Sequence, residues 1–230
     1  MRPVSRGAAP AGAFANYRDA ATPLIAAIGD YCSYCERQIP THLAIEHIQP
    51  KSLVAALLTV WDNFLLACVN CNSCKGTTPI VLQDYFWPDS DNTMRAFEYK
   101  TGGLVEPAHG LSLQLLGKAR STVQLVGLDR YPGNPDHQRR PKHADCRWQH
   151  RRQLWDCAQR ARARLLTNDS VELREQIVES AVLRGSFSIW FTNFLFDQDM
   201  RQRLVAGFVG TSSDCFDPTC NLIARVTGAI

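Results

Sequence analysis

The sequence predicts an α+β fold: a helix near the N-terminus, a small core of short extended pieces and one short helix, and a mainly helical C-terminal region. Three observations lead there. Apolar residues recur at helical spacing over 14–28 and again from about residue 145; the stretch between them is broken by turn residues; and four of the nine cysteines form two C-x-x-C pairs inside it. With 45% hydrophobic and 20% charged residues among 230, the chain can bury a sizeable core, which excludes chain-wide disorder and collagen-like repeats.

Residues 1–12, rich in Ala, Gly and Pro, read as a flexible tail, and 13–80 as the compact core with its N-terminal helix. Phe14, Tyr17, Ala21, Leu24, Ile25 and Ile28 line one face of that helix, and Gly29 stops it. From Tyr31 short extended pieces follow, over 32–35 and 43–48, with Pro50 as a break, which predicts a small hairpin. Residues 61–74 predict a short helix that Gly76 and Pro79 end. Residues 81–144 form a mixed accessory region with turns at 88–92, Gly102-Gly103 and 132–135. In 145–230 the periodic Trp148, Leu154, Trp155, Leu165, Ile177, Trp190, Phe191, Leu204 and Phe208 predict two or three helices, broken near 167–170 and at Gly185, with their aromatics in the core.

The apolar runs 23–28 and 64–69 fall short of the ~18 residues of a membrane span. Arg2 and Arg6 are followed by no apolar segment of signal-peptide length, so a cytoplasmic protein with reduced thiols is expected. The net charge of +3 is small but unevenly placed: between Lys118 and Arg164 twelve Lys/Arg face four Asp, a local excess of +8. Such a region suits a polyanion or a solvated helix face. Arg139, Arg140, Lys142, Arg147, Arg151 and Arg152 are its candidate nucleic-acid contacts.

Cys32-x-x-Cys35 and Cys68-x-x-Cys71 can each present two thiolates from a tight turn, and four thiolates close a tetrahedral, structural zinc site. A redox C-x-x-C pair is the rival, but two pairs flanking a hairpin argue against it. Cys74, three residues beyond Cys71, is an alternative fourth ligand. Cys146, Cys157, Cys215 and Cys220 default to thiols, the last two with a weaker claim on a metal. Asp89, Asp91 and Asn92 read as a turn after Pro88 rather than as metal ligands.

Between and beyond the knuckles lie LAIEHIQPKS (43–52) and WDNFLLACVNCNSCKG (61–76). Glu46-His47, Asn63 and Asn72 inside this cysteine frame resemble the HNH, or ββα-metal, endonuclease motif. The chemistry suits these residue types: a neutral imidazole, His47, can take a proton from water near pH 7, while Glu46 and Asn72 offer hard oxygens to Mg²⁺ or Mn²⁺. By that resemblance Asn63 pins the loop that orients the base, and Lys75, one turn after Asn72, contacts phosphate. Adjacent residues on a regular strand point to opposite faces, so Glu46 and His47 can share an ion only if the strand ends or bends there. His42, His109, His137, His143 and His150 have no such setting and are expected at the surface or facing nucleic acid.

Four further segments, YFWPDSDNTMRAFEY (85–99), TVQLVGLDR (122–130), GSFSIW (185–190) and GTSSDCF (210–216), resemble the accessory part of a bacterial HNH group encoded with an ATPase in anti-phage systems of the Septu type. The resemblance implies a DNA nuclease subunit with an ATPase partner. The alternative is a non-catalytic zinc module that binds nucleic acid or a partner protein.

Overall fold

The computed structural model describes residues 1–41, 43–142 and 144–230; His42 and His143, two of the histidines expected at the surface, lie outside the described residues. The chain is a mixture of helices and two small antiparallel sheets. Asn16 caps a 3₁₀ turn, Tyr17–Ala20, through a reciprocal capping box with Asp19, and this turn leads into α1 (Ala21–Ile28), which ends at Gly29. The N-terminal helix therefore starts later than its apolar spacing suggests, because the cap fixes the entry point.

Strand β1 (Ala44–His47) pairs with β2 (Phe64–Ala67) in the register Ala44↔Ala67 to His47↔Phe64, and α2 (Val69–Lys75) follows β2 almost at once. The sequence predicts a helix over 61–74 and a hairpin from the first knuckle; the second strand is instead Phe-Leu-Leu-Ala at 64–67. All four of its residues are buried. A strand covered on both faces reads as a continuous apolar run, which periodicity cannot tell from a helix segment.

The Cys32 knuckle packs on the same strand, since Ser33 N–H donates to the Leu66 carbonyl at 2.8 Å. After its second cysteine the chain turns through Glu36 at φ 60, a left-handed conformation costly for a non-glycine residue. The Glu36 carboxylate is held there by the N-terminal ammonium at 3.2 Å, by the Tyr99 hydroxyl at 2.8 Å and by the Ser188 backbone N–H at 2.7 Å. Met1 and Val4 are buried as well, so the expected flexible tail is packed over its first four residues.

Beyond the core, α3 (Thr93–Ala96) leads into a second hairpin, β3 (Phe97–Lys100) and β4 (Leu104–Pro107). Its turn passes through Gly103 at φ +73, where a Cβ would stand 2.4 Å from the Arg152 backbone nitrogen, so only glycine lets this turn lie against the neighbouring helix. That helix is α5 (Arg147–Thr167), preceded by α4 (Leu113–Val126) and followed by α6 (Val171–Arg184), α7 (Phe187–Asn193) and α8 (Gln198–Gly207). The C-terminal region thus holds four helices, one or two more than the sequence predicts, with the expected breaks at 168–170 and Gly185 and a further, unexpected one at 194–197. Phe187, Trp190, Phe191, Phe194 and Phe208 are buried as expected. Among the described residues no helix is long and apolar enough to cross a membrane.

Candidate active site

The two knuckles meet. The Sγ atoms of Cys32, Cys35, Cys68 and Cys71 lie within 4.8 Å of one another, and no other metal-competent cluster of three or more His, Cys, Asp or Glu occurs among the described residues. Four sulfurs each about 2.3 Å from one zinc ion stand about 3.8 Å apart along a tetrahedral edge. Cys35 Sγ and Cys68 Sγ are 3.7 Å apart, so this edge already has the length a zinc tetrahedron requires and the donor set fits zinc.

Outer donors complete it. The Cys71 backbone N–H, at the start of α2, points to Cys68 Sγ at 3.4 Å, and Arg147 Nη1 donates to Cys71 Sγ at 3.1 Å. Arg147 is 2% exposed, is held by Asp145 at 2.7 Å, and reaches Cys74 Sγ with its other arm at 3.4 Å. Cys74 accordingly stands outside the cluster as a partner of Arg147.

This arrangement overturns part of the expected nucleic-acid surface. Arg147 is an inner residue whose guanidinium donates to Cys71 Sγ, and Arg151, equally buried, donates to the Gly103 and Leu128 carbonyls at 2.9 Å. Both sit on the inward face of α5, where a guanidinium can be buried only against acceptors. Arg139 is held bidentately by Asp129, and Arg140 donates to the Asn134 carbonyl. Lys142 and Arg152 remain exposed. His109 and His137 are exposed, whereas His150 is half-buried.

Glu46, His47, Asn72 and Lys75 line one cavity of about 330 Å³, together with Pro50, Lys51, Ser52 and Gly76. Adjacent strand residues share it because β1 stops at His47, where the chain turns toward Pro50. His47 is 6% exposed, with the rings of Tyr17 and Phe64 edge-on at 5.1 Å. Its Nε2 lies 3.0 Å from the Leu58 carbonyl oxygen. A carbonyl can only accept, so Nε2 carries the hydrogen and Nδ1 keeps its lone pair. Burial pushes the imidazole pKa down, which favours that neutral form.

The loop carrying Leu58 is held from Asn63. Its Oδ1 accepts the Gln49 N–H at 2.8 Å, and its Nδ2 donates to the Gln49 carbonyl at 3.0 Å and the Leu57 carbonyl at 3.3 Å. Asn63 thus joins the segment after His47 to the segment that caps His47, and takes no place in the cavity itself.

Lys75 departs from expectation. It is 1% exposed, its Nζ lies 2.7 Å from Glu46 Oε1, and it donates to the His47 carbonyl at 2.7 Å. It does not reach outward to a phosphate in this conformation, because Glu46, itself 3% exposed, holds the ammonium inside. Burial pushes the Glu46 carboxyl pKa up, opposed by the charge of Lys75. That ammonium is the one polar contact of Glu46 Oε1, which is closed to solvent. An anionic oxygen so placed, with the Asn72 carboxamide on the same cavity, suits a hard divalent cation whose other ligands are water and phosphate.

Two contributors escaped the sequence reading. The Leu58 carbonyl left no signal, since any residue supplies one. Lys51, exposed at the cavity rim with its Nζ 3.9 Å from the centre of the Tyr17 ring, was marked only by its charge one residue after Pro50.

Among curated proteins none matches the chain. Residues 32–78, which span both knuckles, β1, β2 and α2, match the family model described as HNH endonuclease, so this segment is similar to that family.

Proposed function

We propose that the protein is a metal-dependent endonuclease that hydrolyses phosphodiester bonds in DNA, with His47 as general base. The observation that carries this reading is the contact of His47 Nε2 with the Leu58 carbonyl oxygen at 3.0 Å, which leaves Nδ1 as the unprotonated nitrogen of the neutral ring, in a residue that lines one cavity with Glu46 and Asn72. Nδ1 takes a proton from the attacking water, and the Leu58 carbonyl stabilises the imidazolium that results. Asn63 keeps that carbonyl in place. Glu46 and Asn72 hold Mg²⁺ or Mn²⁺, which when bound offsets the negative charge that builds on the phosphate oxygens. The zinc thiolates hold β2 and α2 together and take no part in the chemistry. Lys51 at the rim, with Lys142 and Arg152, supplies contacts to the DNA backbone.

We further infer an anti-phage role of the Septu type with an ATPase partner. Its support is the likeness of the segments at 85–99, 122–130, 185–190 and 210–216 to the accessory part of that group.

The rival, a non-catalytic zinc module, is favoured by one observation: an ammonium already sits on the proposed cation ligand. Cleavage of plasmid DNA and of RNA of matched length, by zinc-loaded protein with and without each divalent ion and a co-expressed ATPase, decides between them. Cleavage of the DNA that needs Mg²⁺ or Mn²⁺ is expected. Salt-sensitive binding with no cleavage under any of these conditions supports the rival.

A further inference from the structure

The buried ion pair between Lys75 and Glu46 is not explained by stability. Burying two charges is seldom favourable over an apolar pair of similar volume, and a pair at 2.7 Å with 1% and 3% exposure has lost nearly all of its hydration. Apart from the Lys75 ammonium, Glu46 Oε1, closed to solvent, has no polar partner. The ammonium covers the one anionic group in the cavity. Its other contact, the His47 carbonyl at 2.7 Å, ties it to the strand end where Glu46 and His47 come together.

We propose that Lys75 is a built-in counter-cation for Glu46: its ammonium takes the place of the divalent ion in the unloaded protein, and metal loading is an exchange in which Lys75 swings off the carboxylate. This rests on the reading of Glu46 as the cation ligand. Two features make the exchange workable. Lys75 itself lines the cavity, next to Gly76 and Thr77, so its flexible stem has room to turn without disturbing α2. The released ammonium then lies in the chamber that receives the phosphate, so the residue that guards the empty site becomes a phosphate contact once the site is filled. The stem springs from the last turn of the helix that starts with zinc ligand Cys71 near its N-terminus, so the pivot is fixed while the side chain moves.

Lys75 acts here on Glu46 and so is a positioning residue, tested by binding as well as by rate. Mn²⁺ is titrated into full-length zinc-loaded protein, and free Mn²⁺ is read by electron paramagnetic resonance. Lys75→Gln, which keeps a donor for the His47 carbonyl but no charge, is expected to bind Mn²⁺ about tenfold more tightly than wild type with unchanged zinc content. Affinity that is unchanged or weaker in Lys75→Gln overturns the exchange while leaving the cation site standing. Affinity that Glu46→Gln fails to weaken overturns the cation site and the exchange with it. A measurement on the wild type removes dependence on the variant's folding: acetylation of Lys75, read by mass spectrometry, rises when Mg²⁺ is added. Protection that Mg²⁺ does not relieve overturns the proposal.

Discussion

Replacing Asn63 with alanine separates two consequences that the structure ties together. The side chain is buried and makes three hydrogen bonds to backbone groups of two loop segments, at 2.8, 3.0 and 3.3 Å. At about 1 kcal/mol net for each, with the longest contributing least, the loss is about 2 to 3 kcal/mol. For a chain of this size that lowers the melting temperature by about 5 to 10 °C. The second consequence is catalytic. Without Asn63 the segment bearing Leu58 is free to shift, and His47 loses the acceptor that fixes its ring and tautomer. A positioned general base contributes about 10²- to 10⁴-fold, so Asn63→Ala is expected to slow single-turnover plasmid cleavage by about 10²-fold, measured well below its lowered melting temperature. Asn63→Asp keeps the acceptor for the Gln49 N–H but turns an oxygen toward the Gln49 and Leu57 carbonyls, and is expected to be at least as damaging. If Asn63→Ala melts earlier yet cleaves at the wild-type rate, the link from Asn63 through Leu58 to His47 is refuted.

Other consequences follow from the same geometry. His47→Ala lowers single-turnover cleavage by about 10²- to 10⁴-fold while zinc content, read by atomic absorption, stays at the wild-type level. Because burial lowers the His47 pKa and the base must be neutral, the acid limb of the rate profile has its midpoint below about 6.5, and Tyr17→Ala, which uncovers one face of the ring, moves it upward. Arg147→Gln, which removes the charged donor to Cys71, weakens zinc affinity by about 10- to 100-fold in a chelator competition, whereas Arg152→Gln on the exposed face leaves it unchanged. Stripping zinc with a strong chelator opens residues 32–78 to proteolysis and abolishes cleavage together, since four uncompensated thiols cannot hold the two knuckles closed.

Spacing made the cysteine frame readable, because ligands to one tetrahedral ion must come from short turns, and the two C-x-x-C pairs do converge. The neighbourhood of Glu46, His47 and Asn72 was legible for a similar reason, since the strand had to end near Pro50 for both side chains to face one cavity. What stayed hidden depends on long-range partners. Phe64 to Ala67 form a strand only because both faces are covered, which a run of apolar letters does not reveal. Arg147 and Arg151 look like surface charge in the sequence, which does not show the sulfurs and carbonyls opposite them. Lys75 looked like a phosphate contact because the sequence gives its position on the helix but not the carboxylate that draws it inward. Met1 and Val4 looked mobile by composition, yet the N-terminal ammonium closes on Glu36, whose strained backbone no composition could announce.

The central claim is that two different cations occupy two neighbouring places, one among sulfurs and one beside an imidazole. Anomalous diffraction from crystals of the zinc-loaded protein soaked in Mn²⁺, with data at both absorption edges, measures this directly. A zinc peak amid Cys32, Cys35, Cys68 and Cys71 and a manganese peak at the Glu46 carboxylate, in the cavity lined by His47 and Asn72, is the predicted result. Manganese absent from that cavity, or zinc bound away from the four sulfurs, would contradict it.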